Sequence, residues 1–258
     1  MPSPKISIII NCKNGESFLE DTLKGIENQY FSDFEVIFYD SQSSDDSVEI
    51  FKKYKKDNYI FIEGLKEDSL ATSRNKAVKA SKGEWLCFND QDDIFLARRL
   101  SVPMKKAEQN PNLKLIYSNF EKINERNKSL GSGSFGESSF SNVLLGKANA
   151  GLLTLTIRRD CFDIIGGFDE RYPNSQDYDL VLKMMKNFEF LYIDEVLAKY
   201  RIHENNMSSK MIKDGSIYIE TAKIAASYLP RPESIVRISE MLIKLYQNMD
   251  VIISMLIL

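Results

Sequence analysis

The sequence predicts an α/β fold in which a mostly parallel, Rossmann-like sheet is flanked by helices, with a C-terminal helical extension. Short β-branched apolar runs alternate with segments of helical periodicity over the first 120 residues, and this alternation is typical of βαβ units. From residue 215 onward the pattern is helical, with interruptions at Pro230 and Pro232. We therefore expect one α/β domain at residues 1–207 and a helical extension at 208–258.

The elements of the first half follow from their periodicity. Residues 5–11 (KISIIIN) predict a strand buried on both faces, and residues 34–40 (FEVIFYD) predict a second strand that ends at Asp40. Polar residues at 43–46 predict the start of a helix. The remaining predicted elements are a helix at 18–30, a strand at 59–63, a helix at 72–81 and a strand at 84–89 (EWLCFN).

Beyond residue 119 the pattern is less regular. Residues 125–146 are rich in Ser, Gly, Asn and charge, a composition that predicts a mobile loop. A short helix at 159–165 should stop at Gly166 and Gly167, because glycine tolerates the left-handed turn that ends many helices. The other predicted elements are strands at 152–158 and 196–202 and a helix at 177–186.

Composition excludes some classes of partner and site. The net charge is −3 and no basic stripe runs along the chain, so a nucleic-acid partner is not expected. Cys12, Cys87 and Cys161 are odd in number and widely spaced in or beside apolar runs. They are typical of buried, reduced thiols in a cytosolic protein rather than of disulfides or a zinc site.

Targeting and membrane signals are weak. Residues 1–4 are too short for a signal peptide, and no apolar run reaches 18 residues, so we expect a cytoplasmic location. The C-terminal helices carry an apolar face and an apolar tail at 251–258 (VIISMLIL). Three roles stay open for them: packing on the domain, formation of a homodimer, and peripheral contact with the inner face of a membrane.

Acidic residues end two of the predicted strands. Asp40 ends the second, and Asp90, Asp92 and Asp93 follow the fourth. Ligands of open parallel sheets bind beyond the carboxyl ends of the strands. Carboxylates can hold a diphosphate there through Mg²⁺ or Mn²⁺, which share carboxylate and phosphate oxygens. Solvated turns or helix caps explain isolated acids of this kind equally well.

Seven segments resemble a family of enzymes when they are taken together and in order. They are SIIINCKNGESFLEDTL, VIFYDSQSSDDS, the pair Arg74-Asn75, FNDQDD, GGFDER, QDYDL and RIH, spread over residues 5–207. In this set the chain resembles a family 2 glycosyltransferase. The resemblance implies a GT-A fold and transfer of a sugar from a nucleotide-sugar donor to an acceptor hydroxyl with inversion.

The resemblance also implies a donor site. Asp40 matches the aspartate that contacts the base, Arg74 a basic residue near the base and diphosphate, and Asp90 the first acid of the D-x-D pair, near the ribose. The turn that begins at Asn11 would contact the base as well. This turn lacks the Pro and Tyr that are common in the family, so backbone groups would make some of its contacts.

The remaining matched residues concern the metal and the chemistry. Asp92 and His203 match the ligands of a divalent cation, Mn²⁺ or Mg²⁺, and Asp93 would support the metal site or cap a helix. Asp177 matches the general base, although it follows Gln176 where an acid is common. Without the resemblance, Asp177 would be read as a helix cap and His203 as a packed histidine.

The function implied is transfer from a UDP-linked donor to a saccharide or lipid-linked acceptor during assembly of a surface polysaccharide or glycolipid. The alternative is a catalytically inactive nucleotide-sugar-binding or scaffold protein on the same fold. A sugar nucleotidyltransferase would need a Gly-rich basic loop after the first strand, and the 11–16 turn has one glycine. The donor sugar and the acceptor are not encoded in any motif.

Overall fold

A single mixed sheet forms the centre of the protein. The computed structural model describes residues 3–134, 136–148 and 150–257. The strands are β1 (Ile6–Cys12), β2 (Phe34–Asp40), β3 (Tyr59–Glu63), β4 (Trp85–Phe88), β5 (Ile94–Phe95), β6 (Leu113–Asn124), β7 (Ser129–Gly133), β8 (Thr156–Arg158) and β9 (Glu189–Ile202).

The order of the strands determines where a ligand can bind. The sheet runs β3-β2-β1-β4-β8-β6-β9-β5, and β7 pairs with β6 outside this path. Strands β3, β2, β1 and β4 are parallel, whereas β8 is antiparallel to both of its neighbours. Strands β6 and β9 are again parallel. The parallel half therefore brings the carboxyl ends of β1, β2 and β4 to one edge.

Helices cover both faces of the sheet. They are α1 (Leu19–Glu27), α2 (Ser47–Tyr54), α3 (Leu70–Ala80), α4 (Ser101–Gln109), α5 (Phe140–Leu144), α6 (Arg159–Ile164), α7 (Gln176–Asn187), α8 (Met207–Asp214), α9 (Ser216–Ala226) and α10 (Pro232–Ile257). Strand side chains alternate between two apolar layers, as the period of a strand requires. Ile9 and Phe88 pack with α3, α6 and α7, whereas Ile8 and Cys87 pack with α1, α2 and α4.

The elements predicted between residues 5 and 89 are confirmed apart from small shifts at their ends, whereas β5, α4 and β6 were not predicted. Strand β1 is buried along its full length. Helix α3 begins after Ser69, whose side chain accepts a hydrogen bond from the Thr72 N–H. Cys12, Cys87 and Cys161 are buried free thiols, as expected. Burial raises the pKa of Cys12 to about 12, so this thiol stays protonated at neutral pH.

The prediction for the second half is wrong in three places. The segment 125–146, predicted to be a loop, contains β7 and α5. The strand predicted at 152–158 begins with a 3₁₀ turn at Leu152–Thr154, and only β8 is extended. Strand β9 starts at Glu189 rather than at residue 196, because it pairs in parallel with the long β6. The stop after α6 is confirmed, since Gly166 and Gly167 both have positive φ.

The C-terminal helices share a core with the main domain. Ile224 and Ala225 of α9 are fully buried, and Tyr228 is nearly so, in the same apolar layer as α7. Helix α10 keeps a second apolar stripe exposed to solvent, formed by Ile235, Val236, Leu242, Ile243 and Tyr246. Among the described residues, none of the helices combines the length and apolarity needed to cross a bilayer. The side chains of the apolar tail at 251–258 lie outside the described residues.

The packing of α9 can be tested with a pair of isoleucine variants. Ile224→Ala should lower the free energy of unfolding by about 2–5 kcal/mol, the usual cost of truncating a buried isoleucine. The matched exposed change, Ile243→Ala, should alter it by less than about 0.5 kcal/mol. Urea unfolding measures both. Equal midpoints for Ile224→Ala and the wild type would mean that α9 contributes nothing to the core.

Candidate active site

Three buried polar side chains lie at the carboxyl edge of the parallel strands. Asn11 belongs to β1, Asp40 ends β2, and Asn89 directly follows β4. The Asp40 Oδ2 atom accepts a hydrogen bond of 2.9 Å from the Ser43 N–H, but its Oδ1 atom is buried with no partner. The Asn11 Nδ2 atom and both amide atoms of Asn89 also have no partner. Buried polar atoms normally have a hydrogen-bond partner, so the unpaired atoms at this edge suit a polar ligand.

The turn after β1 and the turn after β2 are joined by reciprocal hydrogen bonds. The Asn14 N–H donates to Ser43 Oγ at 2.9 Å, and the Ser44 N–H donates to Asn14 Oδ1 at 2.8 Å. The Glu16 N–H donates to Asp45 Oδ2 at 3.0 Å. The prediction that a helix starts at 43–46 is confirmed, since α2 begins at Ser47 with Asp46 at its N-cap position. The side chains of Ser43 and Asp45 also hold the neighbouring turn.

Gln91, the middle residue of the D-x-D run, connects the same turn to the acidic loop. Its Oε1 atom accepts the Lys13 N–H at 2.6 Å, and its Nε2 atom donates to the Lys13 carbonyl at 3.2 Å. Gly15 lies close beside it, and a Cβ there would lie 2.9 Å from Gln91 Cδ, so a larger residue would displace the Gln91 side chain. Two hydrogen bonds thus join the turn that begins at Asn11 to the acidic loop.

Arg74 and Asp90 form an ion pair at the mouth of the site. The Arg74 Nη2 atom donates to Asp90 Oδ1 at 2.6 Å. Helix α3 supplies the arginine, whose side chain is only 5% exposed and lies over the Phe168 ring. The charge of Asp90 is therefore partly compensated, and the guanidinium keeps further N–H groups for an anionic ligand.

Asp92 and His203 meet although they are far apart in sequence. The His203 Nε2 atom lies 2.8 Å from Asp92 Oδ2, and the Phe18 ring packs against the imidazole with centroids 4.9 Å apart. Burial raises the pKa of Asp92, the charge of Asp90 raises it further, and His203 opposes the rise.

Arg201 holds the backbone of the loop that carries Asp92. It is fully buried and its Nε atom donates to the Asp92 carbonyl at 2.8 Å, while its backbone N–H donates to Asp93 Oδ1 at 2.9 Å. Its Nη2 atom pairs with Asp21 of α1 at 3.0 Å. Burial and the neighbouring acids raise the pKa of Asp93 well above its ordinary value. Asp93 therefore anchors the loop and does not cap a helix.

The residues present fit a divalent cation that is shared with a ligand. Within the described parts of the chain, no three His, Cys, Asp or Glu side chains converge as a complete metal site. Asp92 and His203 approach each other to 2.8 Å. Mg²⁺ and Mn²⁺ are commonly held by one or two protein groups plus substrate phosphates, and this pair suits such an incomplete site.

Asp177 lies in the first turn of α7, which faces the ion pair. Its Oδ1 atom accepts the Tyr178 N–H at 2.8 Å. Burial raises the pKa of Asp177, and Arg74 opposes this rise while Asp90 adds to it. The preceding Gln176 is buried, and its Nε2 atom donates to the Pro173 carbonyl at 3.1 Å, so it does not tune Asp177 as an acid would.

A cavity of about 490 Å³ opens beside His203. It is lined by Asn124, Glu125, Arg126, Ile202, His203 and Glu204. Charged groups of both signs lie next to one apolar side chain, so the lining has no concentration of positive charge that would attract a polyanion.

Comparison with known proteins identifies the family. The sequence model of glycosyl transferase family 2 matches residues 7–169. The chain belongs to glycosyl transferase family 2. Among curated members, this glycosyltransferase is 25% identical over 211 residues to the Escherichia coli UDP-Glc:alpha-D-GlcNAc-diphosphoundecaprenol beta-1,3-glucosyltransferase WfgD, covering 81% of each chain.

Solved structures of other proteins share the fold of this family 2 member. S. aureus TarS 1–349, solved in complex with UDP-GlcNAc, superposes with a TM-score of 0.72 at 20% identity, covering 94% of this chain and 73% of that one. The mannosyltransferase PcManGT of Pyrobaculum calidifontis, in complex with GDP-Man and Mn²⁺, gives a TM-score of 0.67 at 16% identity. The superposition covers 95% of this chain and 70% of the PcManGT chain. The predicted GT-A fold is confirmed.

The residues predicted from sequence fall into groups in the structure. The strand-end residues Asn11 and Asp40 share one edge, Arg74 pairs with Asp90, and His203 reaches Asp92.

Sequence reasoning missed Asn89, Gln91 and Arg201. For Arg201 a signal existed: it lies two residues before His203, at the spacing that places two strand side chains on the same face.

Proposed function

We propose that the protein is an inverting, metal-dependent glycosyltransferase that uses a UDP-linked donor and an acceptor hydroxyl in assembly of a surface polysaccharide or glycolipid. The main support is the meeting of Asp92 and His203 at the edge that also carries Asp40 and the Arg74–Asp90 pair. WfgD, by its name, uses UDP-Glc and a diphosphoundecaprenol-linked acceptor. TarS was solved with UDP-GlcNAc.

The nucleotide would bind at the strand ends. Uracil offers one ring N–H donor and two carbonyl acceptors, which complement the unpaired Asp40 Oδ1 and the unpaired Asn11 Nδ2. Both atoms are covered by protein, so the base reaches them only if the adjoining turn opens slightly. The ribose would meet Asp90, and free N–H groups of Arg74 would meet the diphosphate.

The metal would be held by Asp92 and His203 together with the diphosphate oxygens. When bound, a divalent cation neutralises charge that grows on a departing diphosphate. The protein would fix the backbone that carries both ligands, because Arg201 Nε donates to the Asp92 backbone carbonyl and Asn206 Oδ1 accepts the His203 backbone N–H at 2.6 Å.

Asp177 would act as the general base. Its carboxylate takes the proton from the acceptor hydroxyl, while the acceptor oxygen forms a bond to the anomeric carbon. The bond between that carbon and the diphosphate oxygen breaks on the opposite face, so the configuration inverts. The cavity beside His203 provides room for a sugar-sized ligand. No covalent intermediate with the protein is required.

The function is tested by release of UDP. The purified chain is incubated with Mn²⁺ and, in turn, UDP-glucose, UDP-galactose and UDP-GlcNAc, with and without a diphosphate-linked lipid acceptor. We expect metal-dependent release from at least one donor, faster with acceptor. UDP binding without release from any donor would favour the inactive nucleotide-sugar-binding protein.

The role of Asp40 can be tested separately from catalysis. Asp40→Ala should weaken UDP binding about 10- to 100-fold, since a hydrogen bond to a charged group contributes about 1.5–3 kcal/mol. Isothermal calorimetry measures the dissociation constant. Asp33→Ala is the matched control, because Asp33 is an exposed acid before the opposite end of the same strand. Equal constants for Asp40→Ala and the control would remove Asp40 from the nucleotide site.

A cytoplasmic location with peripheral attachment to the inner face of the membrane stays a prediction. It is supported by the buried reduced thiols and by the exposed apolar stripe of α10. Formation of a homodimer through the same helices also stays a prediction, as does the division of the chain at residue 207.

A further inference from the structure

A glutamate of the C-terminal helices reaches the start of the helix that carries Asp177. Glu220 of α9 accepts the Asn174 N–H at 2.8 Å and the Ser175 N–H at 2.9 Å through Oε2. Its Oε1 atom accepts the Asn174 Nδ2 group at 2.9 Å. One carboxylate thus accepts three hydrogen bonds from two consecutive residues just before α7.

This contact lies at the two residues that precede α7. Ser175 occupies the N-cap position of α7, but its side chain makes no capping hydrogen bond. It lies instead 3.4 Å from the Thr221 hydroxyl of α9. An anionic group near a helix N-terminus also interacts favourably with the helix dipole. The direction in which α7 starts is therefore set largely from α9.

Asp177 is two residues beyond Ser175, in the first turn of α7. A small rotation of that turn would move the Asp177 carboxylate away from the acceptor hydroxyl, and a displacement of about 1 Å can reduce a rate by about 100-fold. Helix α9 lies outside the residues that match the family model, 7–169. The C-terminal segment can thus influence catalysis without touching the substrate.

We infer that Glu220 is a positioning residue that holds the Asp177 carboxylate in its working direction through residues 174–175. The inference rests on the proposed role of Asp177 as general base. It makes the C-terminal helices part of the catalytic machinery, in addition to any docking role that they have.

A matched control exists in the same segment. Glu233 of α10 also fastens the C-terminal helices to the domain, by accepting the Ser141 hydroxyl of α5 at 2.8 Å. None of its described hydrogen bonds goes to residues 174–177. Removal of Glu233 therefore loosens the same helices without releasing the start of α7.

The test compares Glu220→Ala, Glu220→Gln and Glu233→Ala, using Mn²⁺ and the UDP-sugar that the wild type hydrolyses fastest. Glu220→Ala should lower kcat about 10- to 100-fold, with the donor KM and the calorimetric UDP dissociation constant within about twofold of the wild type. Glu220→Gln should recover part of the loss, because its amide oxygen still accepts N–H groups. Glu233→Ala should stay within about twofold in every parameter.

A double-mutant cycle then separates positioning from general structural damage. If Glu220 acts through Asp177, adding Glu220→Ala to Asp177→Asn should lower turnover no further. Full additivity, or equal effects of Glu220→Ala and Glu233→Ala, would overturn the inference. If Glu220→Ala does not fold, Glu220→Gln serves in the same cycle. Should Asp177→Asn alone keep wild-type turnover, the proposed base would be wrong and the failure would lie there.

Discussion

Asp177→Asn should lower turnover by about 10²–10⁴, the usual contribution of a positioned general base, while UDP-sugar affinity stays near the wild-type value. The substitution keeps the size of the side chain and an oxygen for the Tyr178 N–H, but it removes the proton acceptor. Single-turnover kinetics and UDP calorimetry measure the two quantities independently. Equal losses of rate and affinity would assign Asp177 to donor binding instead.

The pH dependence gives a second signature of the same residue. Because burial raises the pKa of Asp177, the wild-type rate should fall on the acid side at a pH above about 3.9, the ordinary aspartate value. The Asp177→Asn variant should lack this limb. A carboxylate with a raised folded pKa destabilises the fold once it ionises, so the variant should also melt higher at neutral pH. That difference should vanish below the unfolded pKa.

The next acid on α7 provides the control for this experiment. Asp179 is buried and pairs with Lys183 at 2.6 Å, and burial raises its pKa too. Asp179→Asn removes a buried carboxylate whose pKa is likewise raised, so it should shift the melting temperature in the same direction as Asp177→Asn but with a smaller change in turnover. Equal losses of turnover in Asp177→Asn and Asp179→Asn would indicate that any substitution in α7 lowers turnover.

Asp92→Ala should abolish metal-supported donor binding and reduce transfer by about 10³-fold or more, since a metal that stabilises leaving-group charge is worth several kcal/mol. His203 would remain without its partner at 2.8 Å and could not hold the cation alone. Titration of Mn²⁺ in the presence of UDP, followed by electron paramagnetic resonance, measures binding without turnover.

Removal of the metal from the wild type is the companion experiment. EDTA should stop UDP release, and excess Mn²⁺ should restore it in the wild type but not in Asp92→Ala. Undiminished release after exhaustive chelation would show that transfer needs no metal, whatever the phenotype of the variant.

The parallel half of the fold was predictable because its strands are buried on both faces. Such strands appear in the sequence as continuous apolar runs, of which β1 is an example. The second half was harder for a physical reason. Strand β8 has only three residues, and β7 is largely exposed and contains two glycines, so neither carries a periodic apolar signal. Strand β6 contains a buried run in LKLIYSN, which was not predicted to be a strand.

The candidate site was predictable where an acid closes a strand, as at Asp40. The site was less predictable where a side chain forms hydrogen bonds with the backbone of another loop. Gln91 accepts and donates to main-chain atoms of Lys13, and such contacts leave no requirement on the type of the partner residue. Glu220 is similar, because two of its three hydrogen bonds come from backbone N–H groups. Only the folded chain brings these partners together.

The amide bridge between Gln91 and Lys13 has a thermodynamic consequence. The turn that would receive the base and the loop that would receive the cation share this bridge, so ordering one of them also orders the other. A first ligand would bear most of the entropy cost, and the second would bind to a site already arranged. Linkage makes such an effect mutual: any factor by which the cation tightens nucleotide binding must equal the factor by which the nucleotide tightens cation binding.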